Sequence, residues 1–127
     1  MSKNQVAGQD GDKGVILFTS SVAAEEASRG GAGYGSSKGA INGLLIPMAR
    51  DLGKYNIRVA AIAPGIFETP MFNKGSKAIK KFGIMSTPMK RLGMPEEFAH
   101  MVNFIVENGY INGVSMRIDG AIKIAHL

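Results

Sequence analysis

The chain has 127 residues, 45% of them hydrophobic, with no cysteine and a formal net charge of +5. Its length suits one domain, large enough to bury about two-thirds of its unfolded surface. The composition excludes disulfides and cysteine-ligated metals, contains no apolar run near the ~18 residues of a membrane span, and leaves room for an anionic partner.

Residues 1–14, MSKNQVAGQDGDKG, form a polar, glycine-rich segment. They show neither the apolar stretch of a secretory signal nor the Arg- and Ser-rich pattern of a transit peptide, so no targeting segment is read. Residues 15–127 form the domain. Val15–Thr19, VILFT, is a continuous apolar and β-branched run, which predicts a strand buried on both faces. SSVAA follows, then the glycine-rich EEASRGGAG. A helical pattern begins near Tyr34 and runs towards Leu52, with Ala40, Ile41, Leu44, Leu45 and Met48 spaced by three and four. Pro47 is expected to kink it and Gly53 to stop it. Ile57–Ala63, IRVAAIA, reads as a second apolar strand, ended by Pro64 and Gly65. Strand, helix and strand together predict a βαβ unit with parallel strands.

The stretch from Pro64 to Gly93 is irregular and carries Met71, Phe72, Phe82, Ile84 and Met85. It reads either as a lid over an apolar ligand or as two small helices capping the core. Much of the positive charge lies between Lys74 and Arg91. That is a solvated surface or a mouth for a phosphate-bearing ligand. Nucleic acid is the weaker partner, since Phe82 is the single aromatic there for a base to stack on. Pro95, Glu96 and Glu97 suit the first turn of another helix, whose apolar face is Phe98, Met101, Val102 and Ile105. VSMRI closes the pattern as a strand, with Val114, Met116 and Ile118 alternating. The expected core comprises Val15, Ile16, Leu17, Phe18, Leu44, Leu45, Val59, Ile62, Phe98, Val102 and Ile105.

Three polar residues stand out against this frame. Tyr34 and Lys38, in YGSSK, are four residues apart and share one helix face. Ser21 lies just past the first strand's carboxyl end, the edge where open parallel sheets gather reactive groups. A free phenol titrates near 10, too high for an efficient base at neutral pH, and a neighbouring ammonium favours its ionised form. A serine hydroxyl can hold a substrate oxygen beside the phenol. Such a trio suits moving a proton on or off an alcohol while a cofactor handles the hydride. Tyr-x-x-x-Lys alone also occurs as a solvated pair. The small residues Gly33, Gly35, Ser36, Ser37, Gly39 and Ala40 add weight, since they allow a second helix or a flat ligand to approach closely.

The serine and YGSSK together resemble the Ser, Tyr-x-x-x-Lys signature of the short-chain dehydrogenases/reductases, at the family's spacing. IRVAAIAPGIFETPM is similar to that family's next strand and Pro-Gly turn, and RLGMPEEFAHMVNFIVENGYINGVSMRIDGAIKI to its closing helix, loop and strand. The C-terminal stretch is nearest the family's hydroxyacyl-CoA and hydroxysteroid dehydrogenases. The resemblance implies an α/β fold, the C-terminal half of a Rossmann-like doubly wound parallel sheet, acting with NAD on a secondary alcohol or ketone. It makes Ser21, Tyr34 and Lys38 catalytic. Lys38, beside Tyr34, would also bond the nicotinamide ribose, with Pro64, Gly65, Ile66 and Phe67 along the nicotinamide and Thr69 on its carboxamide or the pyrophosphate. Residues 71–91 correspond to the substrate loop. A small-molecule substrate, a homo-oligomer and a mitochondrial location are implied as well; without the resemblance the expectation is cytoplasmic. No metal-ligand set is assigned.

The family's glycine-rich cofactor turn, its NAD-selecting acid and its catalytic asparagine have no counterpart here. GGAGYG, Gly30 to Gly35, carries Ser36 in the third glycine's place of G-x-G-x-x-G and reads as an approach to the helix. The N-terminal dinucleotide-binding half is therefore expected to be missing, which leaves VILFT with an unpaired edge. The expectation is a truncated or split enzyme that needs a cofactor-binding half, supplied by another protein chain where the enzyme is split, and is inactive alone. The alternative is a non-catalytic structural or interaction subunit.

Overall fold

The computed structural model describes residues 11–122. Most of the polar N-terminal segment, residues 1–10, and the last five residues lie outside the described residues. Three parallel strands, β1 (Gly14–Thr19), β2 (Ile57–Pro64) and β3 (Val114–Ile118), form one sheet in that order. The helices are α1 (Ala23–Glu26), α2 (Ala32–Gly53), α3 (Pro70–Asn73), α4 (Lys77–Met85) and α5 (Pro95–Glu107). The α/β parallel architecture expected from the sequence is the one observed.

β2 is central because both of its faces are apolar. Every residue from Ile57 to Ala63 is buried. Successive side chains of a strand point to opposite faces. Val59 and Ala61 pack on Leu45 and Ala49 of α2, while Ala60 and Ile62 pack on Ile105 of α5. Each fully buried Val, Ile or Leu contributes about 1.5–3 kcal/mol. Of the expected core, Leu45, Val59, Ile62 and Ile105 are buried, and the others are half-buried around them.

β1 departs from the expected full burial. Gly14–Phe18 are half-buried and Thr19 is exposed. β1 pairs with β2 from Gly14↔Ile57 to Thr19↔Ile62, and no described strand lies on its outer side. Val15, Leu17 and Phe18 thus pack inward while their outer flanks meet solvent.

α2 begins at Ala32, two residues before the expected start, and runs through Pro47 to Gly53. Pro47 and Gly43 are exposed, so water can satisfy the carbonyl that proline leaves unpaired. Gly53 is the last helical residue rather than the stop. The left-handed turn falls on Asn56, at φ 54°. α1 is an addition to the predicted elements, and the irregular region does carry two small helices, α3 and α4. Thr69 Oγ1 accepts from Phe72 N–H at 3.2 Å and Ser76 Oγ from Ile79 N–H at 3.3 Å, capping α3 and α4. In β3, Met116 and Ile118 pack on the α5 side, whereas Val114 is exposed.

Arg58 interrupts the apolar run of β2, yet it is buried. Its Nε donates to Asp12 Oδ2 at 2.6 Å, Nη1 to the Ile105 and Ile111 carbonyls at 2.9 and 3.1 Å, and Nη2 to the Val106 carbonyl at 2.9 Å. The guanidinium thereby caps the negative end of α5. Among the described residues no helix is long and apolar enough to cross a membrane.

Candidate active site

The parallel register brings the carboxyl ends of β1 and β2 to one edge, where the chain leaves each strand in a turn. Between these turns, the start of α2 and α3 lies a cleft of about 800 Å³. Ser21, Tyr34, Lys38, Pro64, Gly65, Ile66, Phe67 and Thr69, all singled out from the sequence, line it.

The two adjacent serines do different things. Ser20 is 1% exposed, and its Oγ lies 2.8 Å from Asn42 Oδ1 and 3.3 Å from the Lys38 carbonyl, tying β1 to α2. Ser21 Oγ accepts from Ala23 N–H at 3.1 Å and keeps its own proton available towards the cleft. Lys38 Nζ donates to the Thr19 carbonyl at 2.9 Å and lies 5.8 Å from the centre of the Tyr34 ring. Tyr34 itself is 56% exposed. The ammonium is thus tied to β1 with two further N–H donors in hand.

On the opposite wall, Gly65 must be glycine, because a Cβ there would stand 2.9 Å from Asp119 Cα. Gly93 has the same constraint against the Phe67 ring, at 2.7 Å. Phe67 in turn meets Phe98 of α5 edge to face, with centroids 5.9 Å apart. Thr69 uses a lone pair on the α3 cap and donates to no group among the described residues. Below this wall, Arg91 grips both oxygens of Glu97 at 2.7 and 2.8 Å, and Glu97 also accepts from Met94 N–H at 2.7 Å. The Arg91 bond, followed by the Met94 bond, holds the Glu97 carboxyl down to about 2.

Sequence reasoning missed Asn42 and the cleft positions of Thr19, Pro95 and Phe98. Asn42 follows Lys38 at the same i, i+4 spacing that relates Lys38 to Tyr34, and that signal could have found it. Phe98 was read as core, which its half-buried ring partly satisfies.

The fold and this cleft define a short-chain dehydrogenase/reductase, and the chain belongs to that family: the family model described as Enoyl-(Acyl carrier protein) reductase matches residues 2–122. Among its relatives, 3-hydroxyacyl-CoA dehydrogenase type-2 of Mus musculus is 46% identical over 117 residues, which are 91% of this chain and 45% of that protein. The crystal structure of 3-hydroxyacyl-CoA dehydrogenase type-2 from Mycobacterium avium superposes with a TM-score of 0.88 at 37% identity, over 96% of this chain and 47% of that one. A 7 alpha-hydroxysteroid dehydrogenase complexed with NADH and 7-oxo glycochenodeoxycholic acid gives 0.80 at 34% identity, over 87% and 45% of the two chains. The chain spans about half the length of the curated relatives it matches.

Proposed function

We propose that this chain carries the proton-transfer and substrate-side half of a nicotinamide-dependent oxidoreductase that interconverts a secondary alcohol and a ketone. The supporting observation is the convergence of Ser21, Tyr34 and Lys38 on one cleft wall, facing the Pro64–Phe67 turn. In this reading the Tyr34 hydroxyl gives or takes the proton at the substrate oxygen. The Ser21 hydroxyl holds that oxygen in place. The Lys38 ammonium, fixed by the Thr19 carbonyl, stands 5.8 Å from the centre of the Tyr34 ring, beside the reacting groups.

The residues present fit the nicotinamide end of NAD. Lys38 has spare donors for ribose hydroxyls, Thr69 a spare hydroxyl proton for a carboxamide, and Pro64–Phe67 a flat, mostly apolar wall for the ring. When bound, the cofactor supplies or accepts the hydride. Groups for its adenine end are proposed to come from a dinucleotide-binding half that joins this one along β1, in the same polypeptide or in a second chain.

For the substrate, residues 69–95 contain no Asp or Glu but carry Lys74, Lys77, Lys80 and Lys81. None of these four lysines has a carboxylate partner among the described residues. Unpaired cations on the segment that follows the cleft-lining Met71 and Phe72 favour an anionic substrate such as a 3-hydroxyacyl-CoA over a neutral hydroxysteroid. The test is Tyr34→Phe in the assembled protein, with NAD and a 3-hydroxyacyl-CoA. Turnover should fall by about 10²–10⁴-fold, the range of a lost general acid-base group. Turnover equal to wild type would sink the reading and leave a structural subunit in its place.

A further inference from the structure

Arg117 lies on β3, paired with Ala63 in the register, and does not line the cleft. Its guanidinium nevertheless reaches three carboxylates. Nη1 donates to Glu25 Oε2 and to Glu26 Oε1, each at 2.9 Å. Nε and Nη2 donate to Asp119 Oδ2 at 3.0 and 2.6 Å. None of the three lines the cleft, but each stands behind a residue that does: Glu25 and Glu26 on α1 behind Ala23, and Asp119 behind Gly65.

Glu25 and Glu26 close α1. That helix has four residues, too few to persist alone, and no side chain caps it from Val22. Its start is tied to Ser21, whose Oγ accepts from Ala23 N–H. Its flank carries the first turn of α2: a Cβ on Gly35 would stand 2.9 Å from the Ala23 carbonyl oxygen and 2.8 Å from Ala27 Cβ. Tyr34 is the residue before Gly35. The place of α1 therefore sets both Ser21 and Tyr34. Asp119 stands behind the other wall, packed on the cleft-lining Gly65, whose N–H donates to the Ile118 carbonyl at 3.0 Å.

We propose that Arg117 is a positioning residue. From behind the cleft it fixes α1 against the end of β3, and so sets Ser21 and Tyr34 relative to the Pro64–Gly65 turn. This rests on the reading of Tyr34 as the proton-transfer group. The arrangement needs a planar fork, since one side chain serves two directions at once; an ammonium at this position cannot reproduce it. Glu26 and Asp119 are mostly shielded, at 21% and 14% side-chain exposure, and Glu26 Oε2 is buried without a partner. Loss of the guanidinium leaves this charge uncompensated, and α1 would swing to hydrate it.

The test compares Arg117→Met, Arg117→Lys and Tyr34→Phe in the assembled, NAD-bound protein with a 3-hydroxyacyl-CoA. Arg117→Met should lower kcat about tenfold with KM within about twofold, since small misplacements of reacting groups cost rate more than binding. Arg117→Lys should recover only part of the loss. Amide exchange should quicken at Ala24–Glu26 and Gly35 and stay unchanged at Val59–Ile62. An unchanged kcat for Arg117→Met, alongside lost turnover in Tyr34→Phe, overturns the positioning role and leaves the reading of the site standing. So does a loss that tracks faster exchange throughout β2, which is general destabilisation. Full turnover in Tyr34→Phe overturns both. Should Arg117→Met fail to fold, Glu25→Gln keeps the question decidable, because that carboxylate is half exposed. About a threefold lower kcat at constant KM is then expected, and no change overturns the role.

Discussion

Glu97 is the residue whose ionisation the structure perturbs most plainly towards acid. Its carboxylate is shared by the Arg91 fork and the Met94 N–H, which lowers its pKa from 4.5 to about 2. A carboxyl depressed on folding contributes stability that is complete above its unfolded value and is lost as pH falls through its folded value. The window here runs from about 4.5 down to about 2. Carbon-detected titration should therefore show the Glu97 side chain still ionised at pH 3. Glu97→Gln should remove part of the acid sensitivity of the Gly93–Phe98 turn between those values; a Glu97 titrating near 4.5 would contradict the clamp. The clamp was legible only in outline, as acids in a first helical turn, because the partner Arg91 approaches through a loop that has no period. Arg58 was hidden for a related reason. An apolar run reports which faces are dry, but not that two helix-end carbonyls and Asp12 converge on one of its positions. Ser21, Tyr34 and Lys38 were legible because strand end and helix spacing together dictate where they meet.

At the scale of elements, the contact between α1 and α2 makes glycines separable by their surroundings. Gly35 faces Ala27 Cβ and the Ala23 carbonyl at 2.8 and 2.9 Å, whereas Gly43 has nothing within 4 Å of its missing Cβ. Alanine is the better helix former by about 1 kcal/mol, so propensity alone predicts that both substitutions stabilise. Packing reverses the sign at one of them. Gly43→Ala should stabilise by about 0.4–1 kcal/mol. Gly35→Ala should destabilise by about 1–3 kcal/mol, because backbone must move to admit the methyl group. Chemical denaturation of both variants checks this, and equal shifts would mean that α1 gives way freely. The elements with a full period, α2, α5 and the three strands, were readable from apolar spacing. α1 was not, since four residues carry no period and its stability comes from Arg117 and Gly35. The choice between lid and small helices could not be made from apolar residues alone. The helices themselves rest on two local devices, the Thr69 and Ser76 caps, and on Gly83, buried against Phe72, Leu92 and Ile66, while Met71 and Phe72 from the same segment line the cleft.

At the scale of the whole molecule, the sheet is asymmetric: β2 is buried throughout, while β1 is half-exposed along an edge with no described neighbour. An apolar edge strand in parallel register is a template for another strand. The relatives that this chain matches are about twice as long. On the proposed reading the cleft serves only the nicotinamide end of the cofactor, since among the described residues no glycine-rich turn follows a strand to hold a pyrophosphate. These observations predict coupled behaviour. Titrated alone with NADH, this chain should show no saturable change in nicotinamide fluorescence below about 1 mM, which corresponds to roughly −4 kcal/mol. The amides of Gly14–Thr19 that do not bond β2 should exchange rapidly. In an assembly that turns over substrate, NADH binding should tighten and the same β1 amides should become protected together. Micromolar binding by the chain alone, with β1 still exchanging fast, would show that the cofactor needs no strand on that edge.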